Sequence, residues 1–163
     1  GTTMKDYGFI FRDDKKMKKK AKKISELTKD VSEYLSESLN LKFKNKEKKL
    51  RIAYHSACSM QHGQKVHSQP IDLLLKTENE ILEIPDGHLC CGSAGTYNIL
   101  QSKIAKQLLK DKIKNIESLK PEIISTGNIG CITQISNGTN IPIVHTIEIL
   151  DWYTGGPKPG ILI

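Results

Sequence analysis

The sequence predicts an α/β domain: a small parallel sheet of about four strands with helices on both faces and cysteine loops at the carboxyl-terminal edge of the sheet. Its 163 residues suffice for one well-packed domain and are too few for two. After residue 49, short apolar runs alternate with helical patterns, which is typical of right-handed β–α–β crossovers. The four cysteines each follow one of the first three apolar runs, where parallel sheets gather their ligands.

The first 48 residues are predicted to form a helical segment that packs on this domain. A short helix is predicted over residues 4–11, and its aromatic side chains are candidate core anchors: Tyr7, Phe9 and Phe11. A long helix follows, capped by Asp13 or Asp14, and is expected to end near Asn40. Its apolar residues recur at steps of three and four, as on one buried helix face: Met17, Ala21, Ile24, Leu27, Val31, Leu35 and Leu39.

The net charge of +7 is concentrated in the first third of the chain. Residues 1–50 hold 15 Lys and Arg against 8 Asp and Glu, whereas residues 51–163 hold ten of each. A basic surface can attract nucleic acid, an anionic membrane or an acidic protein. Lysines on the solvent side of an amphipathic helix explain this charge without a ligand, so we expect no nucleic-acid partner.

Residues 49–163 are predicted to form the cysteine-rich part, and the two parts are expected to be one globular unit. Strands are predicted at LRIAYH, EILEIP, EIIST and IPIVHT. Helices are predicted at PIDLLLKT, over about 25 residues between Cys91 and Pro121, at ITQISNG and at IEILDWY. In the 25-residue helix the expected apolar face consists of Ile104, Leu108, Ile113, Ile116 and Leu119.

The four cysteines are the candidate functional residues: Cys58, Cys90, Cys91 and Cys131. A single cysteine after a strand is usually a small buried hydrophobe, but four at one sheet edge indicate metal or redox chemistry. A disulfide within the adjacent pair would strain the intervening peptide. Zinc accepts four thiolates but typically uses C-x-x-C knuckles, whereas the gaps here are 31 and 39 residues. Iron–sulfur clusters accept widely separated ligands, and spacing alone leaves these two metals open.

Glycines and histidines near the cysteines are candidate cofactor-binding residues. Gly92 and Gly130 are expected to let backbone amides approach a sulfur-rich centre. His55 and His62 flank Cys58 and are expected to donate hydrogen bonds around the metal. Nothing in the sequence indicates a nucleophile–His–carboxylate arrangement or a phosphate-binding glycine loop.

Four strings together resemble the cysteine-rich CCG domain of the glycolate oxidase (glycolate dehydrogenase) iron–sulfur subunit: YHSACSMQHGQ, CCGSAGTYN, STGNIGCITQI and PIVHTIEILD. The resemblance implies a non-catalytic electron-transfer part of an oxidoreductase. It implies a [4Fe–4S] cluster held by the four cysteines and a flavin-containing partner subunit. Without a signal sequence or an apolar run of 18 residues, we expect a cytoplasmic protein, with peripheral association at the inner membrane left open.

The sequence departs from that family pattern in two ways. Asn128 stands where the first cysteine of a terminal C-x-x-C pair is expected, so five thiolate ligands become four. The chain also resembles only the C-terminal part of the family protein, so we expect the missing N-terminal part of the iron–sulfur subunit to be a partner. Two alternatives stay open: a zinc-stabilised protein-binding module and a metal-free remnant.

Overall fold

A four-stranded, all-parallel sheet forms the centre of the molecule, as the sequence predicts. The computed structural model describes residues 1–38, 40–44 and 48–163. The strands are β1 (Arg51–His55), β2 (Glu80–Glu83), β3 (Ile123–Thr126) and β4 (Ile143–His145), in the spatial order β2-β1-β3-β4. Ile52 of β1 pairs with Ile81 of β2 and Ile123 of β3. Predominantly apolar strands of this kind suit a sheet that is covered on both faces.

Helices precede the sheet and connect its strands. Within the described residues they are α1 (Thr2–Lys5), α2 (Tyr7–Ile10), α3 (Lys18–Leu27), α4 (Val31–Ser38), α5 (Gln69–Leu75), α6 (Tyr97–Leu100), α7 (Ser102–Ser118), α8 (Ile129–Ser136) and α9 (Thr146–Thr154). A π-helical turn covers Ser59–Gln64, and a 3₁₀ turn covers Gly160–Leu162. No helix in this described part of the chain has the length and apolar character needed to span a membrane.

Alternate side chains of the strands supply two separate cores. Ala53 and Ile124 face α7 and α8, in a core that also contains Cys91 and Cys131. Ile52 and Ile123 point to the opposite face, where α5 and α9 cover them through Leu73, Leu74, Ile149, Leu150 and Tyr153. Cys91 and Cys131 therefore lie on one side of the sheet, at its carboxyl-terminal edge.

The prediction of one long helix over the basic segment is wrong, because the chain breaks between α3 and α4. Thr28 is extended, and Asp30 accepts hydrogen bonds from the backbone N–H and the hydroxyl of Ser32, as a new helix cap does. Of the predicted apolar face, Ala21 is buried and Leu35 packs on the core. Met17, Ile24, Leu27 and Val31 are exposed, and Leu39 lies outside the described residues.

Two further predictions need correction. Phe9 is 68% exposed and is no core anchor; its ring lies under the Arg12 guanidinium, 4.1 Å from the ring centroid. The predicted 25-residue helix is two helices, α6 and the 17-residue α7, because Gln101 leaves helical geometry between them. Ile104, near the start of α7, is exposed, whereas Ile113 and Ile116 are buried as predicted.

The N-terminal helices contact the sheet-containing part directly. The Lys5 ammonium pairs with the Glu33 carboxylate and also donates to the backbone oxygen of Gln64, at 3.3 Å. Leu35, Leu41 and Phe43 pack against the core beneath α5 and α9. This part of the chain therefore completes one face of the fold.

The strand order creates one position along the sheet edge that favours ligand binding. The chain leaves β1 toward β2 on one side and later returns to β3 on the other side, so β1 and β3 flank a topological switch point. His55 ends β1 and is in register with Thr126, which ends β3. Side chains at and just beyond these two positions converge there.

Candidate metal centre

The four cysteines occupy three loops at this edge of the sheet. Cys58 follows β1 and directly precedes the π-helical turn. Cys90 and Cys91 lie in the loop between β2 and α6, and Cys131 is in the first turn of α8. Cys91 and Cys131 are buried, Cys58 and Cys90 are partly exposed, and all four are free thiols. The structure therefore contains no Cys90–Cys91 disulfide.

The tightest group of possible ligand atoms in the described residues consists of His55, Cys91 and Cys131. One ring nitrogen of His55 and the two Sγ atoms all lie within 4.8 Å of one another, and all three residues are buried. Such donors are close enough to bind one metal ion after small side-chain rotations, since Zn–S and Zn–N bonds are about 2.3 and 2.0 Å long.

Cys91 and Cys131 share one proton. The Cys131 thiol donates to Cys91 and, with the nearby His55 imidazole and the Ser93 backbone, lowers the pKa of Cys91 to about 4. The same contact, followed by burial, raises the pKa of Cys131 far above its ordinary value. Metal binding requires thiolates, and the lowered pKa favours the thiolate form of Cys91.

The thiols of Cys58 and Cys90 also interact electrostatically with Cys91 and Cys131. Burial, then the charge of Cys90 and a hydrogen bond to it, and then the charge of Cys91, raise the pKa of Cys58 to about 11. The charges of Cys91, Cys58 and Cys90 also act on Cys131. Mutual repulsion of this kind is what a bound cation would relieve.

Gly92 supports the cysteine pair through its backbone. Its N–H donates to the Sγ of Cys90 at 3.3 Å, the type of amide contact that the sequence predicts. Its φ is +92°, and a Cβ at this position would lie 2.4 Å from the backbone oxygen of Ala105 in α7. The loop can pass this close to the helix only because residue 92 has no side chain.

The described contacts of Gly130 are those of a helix start, and the expectation that its amide approaches a sulfur-rich centre stays a prediction. Its N–H donates to the side-chain oxygen of Asn128 at 2.9 Å, and the N–H of Cys131 donates to the same atom at 3.2 Å. Asn128 is therefore the N-cap of α8. A Cβ at Gly130 would lie 2.9 Å from the Ser93 hydroxyl, so this glycine lets α8 approach the loop that carries the cysteine pair.

Replacing the cap tests the structural role of Asn128. We expect Asn128→Ala to destabilise the metal-free protein by about 1 kcal/mol, because two amides at the start of α8 lose their acceptor. Asn128→Asp keeps an acceptor oxygen and is the control, with a much smaller loss. Urea unfolding followed by circular dichroism measures both, and an unchanged midpoint for Asn128→Ala would contradict the capping role.

Lys112 is a buried cation near the thiols that the sequence does not reveal. Only 2% of it is exposed, and its ammonium donates to the backbone oxygen of Asp86 at 2.9 Å. Burial lowers the pKa of Lys112, while the charges of Cys91, Cys58 and Cys90 act in the opposite direction. The residue lies on the buried stripe of α7, where lysine is uncommon and signals a buried partner.

The other histidines lie apart from the group formed by His55. His62 is exposed near the end of the π-helical turn, and His88 is exposed in the loop before Cys90. His145 caps α9, with its Nδ1 accepting from the backbone N–H of Ile147 at 3.2 Å. His55 is thus the histidine that the fold brings to the cysteines.

Acidification should remove the thiolate of Cys91. Because its pKa is lowered from 9.0 to about 4, we expect metal-free protein to show ultraviolet thiolate absorbance at pH 7 that disappears as the pH falls through about 4. The thiolate stabilises the fold fully above pH 9, and this contribution is lost as the pH falls toward 4. Cys91→Ser is the control and should lack the absorbance step. A wild-type step only near pH 9 would contradict the shared proton.

Fold and site together define a small α/β module that gathers cysteines for metal binding. Residues 52–136 match the CCG cysteine-rich domain family. The match covers more than half of the chain, which therefore belongs to that family.

Among curated proteins, the chain is similar to oxidoreductase-associated proteins. It is 38% identical over 151 residues to the glycolate oxidase iron–sulfur subunit of Escherichia coli (strain K12), which covers 93% of this chain and 37% of that subunit. It is 25% identical over 156 residues to lactate utilization protein A of Bacillus subtilis (strain 168), covering 92% of this chain and 66% of that protein. The chain thus spans less than two thirds of the length of these relatives.

Proposed function

We propose that this chain is the cluster-binding module of an oxidoreductase of the glycolate oxidase type, and that it relays electrons without acting on a substrate. The observation that carries the proposal is the arrival of four cysteines from three loops at one sheet edge. The name of the relative at 38% identity supports iron–sulfur chemistry.

The proposed ligands of a [4Fe–4S] cluster are Cys58, Cys90, Cys91 and Cys131. Their surroundings fit a metal centre, because the pKa of the Cys91 thiol is lowered and the Gly92 amide donates to the Cys90 sulfur. When bound, such a cluster supplies one-electron transfer. The residues hold it, and burial together with the amide donor and the Lys112 cation would tune its potential.

The proposed partners are a flavin-containing glycolate oxidase subunit and the remaining part of an iron–sulfur subunit. Support for a protein partner comes from exposed apolar side chains around the cysteine loops: Leu89, Tyr97, Ile99, Leu100 and Ile129. Ile99, Leu100 and Ile129 are each about three-quarters exposed, and clustered apolar exposure favours protein contact. We propose a cytoplasmic location, with peripheral association at the inner membrane as its alternative. We propose that the chain consists of a helical segment, 1–48, and a cysteine-rich domain, 49–163, within one globular unit.

A zinc-stabilised protein-binding module is the second candidate. It is favoured by the three donors of His55, Cys91 and Cys131, since a mixed nitrogen and sulfur set of this compactness suits a single zinc ion. In that case the metal would hold the three loops together, and the exposed apolar side chains around the cysteine loops would bind the partner.

Metal analysis separates the candidates. The full chain, purified anaerobically, is assayed for iron, acid-labile sulfide and zinc. We expect iron and sulfide in about equal amounts, as a [4Fe–4S] cluster requires, with visible iron–sulfur absorbance. One zinc per chain without iron would contradict the electron-transfer proposal and support the second candidate. Protein that retains no metal, even after anaerobic reconstitution, would contradict both.

A further inference from the structure

We propose that His55 supplies a nitrogen ligand to the metal centre, beside Cys91 and Cys131. This inference rests on the proposed metal-binding function and extends its ligand set from sulfur alone to a mixed set. Three features of the His55 side chain support it: its position, its burial and its lack of a nitrogen or oxygen hydrogen-bond partner in the described residues.

The sheet aims His55 at the cysteines. His55 is the last residue of β1, two positions after Ala53, and alternate residues of a strand share a face. Ala53 lies in the same core as Cys91 and Cys131. One nitrogen of His55 lies within 4.8 Å of both of their Sγ atoms.

Both nitrogens of His55 are buried without a nitrogen or oxygen hydrogen-bond partner in the described residues. The residue is 1% exposed, and its side-chain contact is with the Cys91 sulfur. A neutral imidazole has one donor and one acceptor, and native proteins rarely bury both unpaired. A metal on the nitrogen that faces the cysteines would satisfy the acceptor.

The neighbouring strand carries a second buried polar group without a partner, in register with His55. Thr126 is in register with His55 on β3, and its buried hydroxyl likewise has no partner among the described groups. Histidines that bind metals almost always donate their second N–H to an oxygen, which orients the ring. The Thr126 hydroxyl is the candidate acceptor, directly or through one water molecule.

Asn128, the other candidate for an additional ligand, is already engaged. Its side-chain oxygen accepts from the N–H groups of Gly130 and Cys131, which hold it at the start of α8. A residue at the position of a further cysteine therefore caps a helix. The unpartnered His55 is left as the donor that completes the centre.

A nitrogen ligand would change the chemistry of the centre in a defined direction. Imidazole is neutral, so it adds a ligand without adding negative charge to a site that already gathers four thiols. Histidine in place of cysteine raises the reduction potential of iron–sulfur centres. His55 would thus make the centre easier to reduce than a centre with a thiolate at the same ligand position.

Nitrogen hyperfine spectroscopy tests the inference on the full chain. The protein is produced with ¹⁵N only in histidine, purified anaerobically and loaded with iron and sulfide, and electron–nuclear double resonance is recorded in its paramagnetic state. We expect a ¹⁵N coupling of a directly bound nitrogen. It should be absent in His55→Ala and retained in His62→Ala, the matched control at an exposed position. Wild-type protein with iron and sulfide but without this coupling would overturn the inference and leave the proposed function standing.

A cobalt experiment keeps the test independent of iron. If the protein takes up neither iron nor sulfide, the iron–sulfur proposal fails, and Co²⁺ is used as the probe of the same residues. We then expect one exchangeable imidazole N–H proton shifted by the paramagnetic ion in the nuclear magnetic resonance spectrum, lost in His55→Ala and kept in His62→Ala. A Co²⁺-loaded wild type without a shifted imidazole proton would overturn the ligand assignment.

Discussion

Cys91→Ser should reduce the iron retained after anaerobic purification to less than about a tenth of the wild-type amount. Cys91 is the thiol whose pKa is lowered, and its buried sulfur lies within 4.8 Å of possible ligand atoms of Cys131 and His55. Even changes in groups that only contact a ligand cost about 10- to 100-fold in metal affinity, so loss of the ligand itself should cost more.

The iron content of Cys91→Ser is informative only if the variant is folded. Helical circular dichroism of the Cys91→Ser variant should match that of the metal-free wild type, because serine is smaller and the surrounding core is formed by other residues. Iron content per folded chain is then the measured quantity. Wild-type iron content in this variant would show that Cys91 is not a ligand.

Gly92→Ala should destabilise the metal-free protein by about 2–5 kcal/mol. The estimate combines about 1–2 kcal/mol for an L-residue at positive φ with about 1–3 kcal/mol for forcing atoms into a filled space. The added Cβ would meet the Ala105 oxygen at 2.4 Å, so the loop would have to move away from α7 and carry the Cys90–Cys91 pair with it.

Gly95→Ala is the matched control in the same loop. Its φ is +60°, but nothing lies within 4 Å of the added Cβ, so only the conformational cost applies. Urea unfolding should show a larger loss for Gly92→Ala than for Gly95→Ala, and the iron content should fall in the first variant. Equal losses in the two variants would mean that close packing on α7 is not what requires glycine at position 92.

The sheet could be predicted from the sequence because its strands are short apolar runs between turns. Ile52, Ile123 and Val144 lie in strands that are covered on both faces, so their apolar character persists without alternation. The same regularity places the cysteines after their strands. The parallel topology then brings the three loops to one edge, and this convergence can be predicted without knowing any side-chain contact.

The bounds of the N-terminal helices could not be predicted as well, because helix caps compete there with the apolar repeat. An apolar repeat continues from Met17 to Leu35, yet Asp30 forms a cap with Ser32 and interrupts it. Phe9 stays exposed and contacts the Arg12 guanidinium instead of the core. Such outcomes depend on the balance of a few contacts that periodicity does not measure.

The details of the site depend on three-dimensional packing. The sequence places His55 and His62 on either side of Cys58, and only the strand geometry shows that His55 is buried toward the cysteines while His62 is exposed. Asn128 looks like a lost cysteine until its hydrogen bonds show a helix cap. Lys112 stands at helical spacing from the buried Ala105 and Ile116 of α7, and only the packing shows that this lysine is buried with them. The role of His62 stays a prediction.

The central claim is that thiols from three loops bind one metal centre. A crystal structure of the anaerobically loaded full chain, with anomalous data collected at the absorption edge of the metal found by analysis, measures this directly. We expect one compact group of anomalous peaks, from a single ion or from the irons of one cluster, within bonding distance of the sulfur atoms of Cys58, Cys90, Cys91 and Cys131. Metal bound elsewhere, or a site that lacks the sulfur of one of the three loops, would contradict the claim.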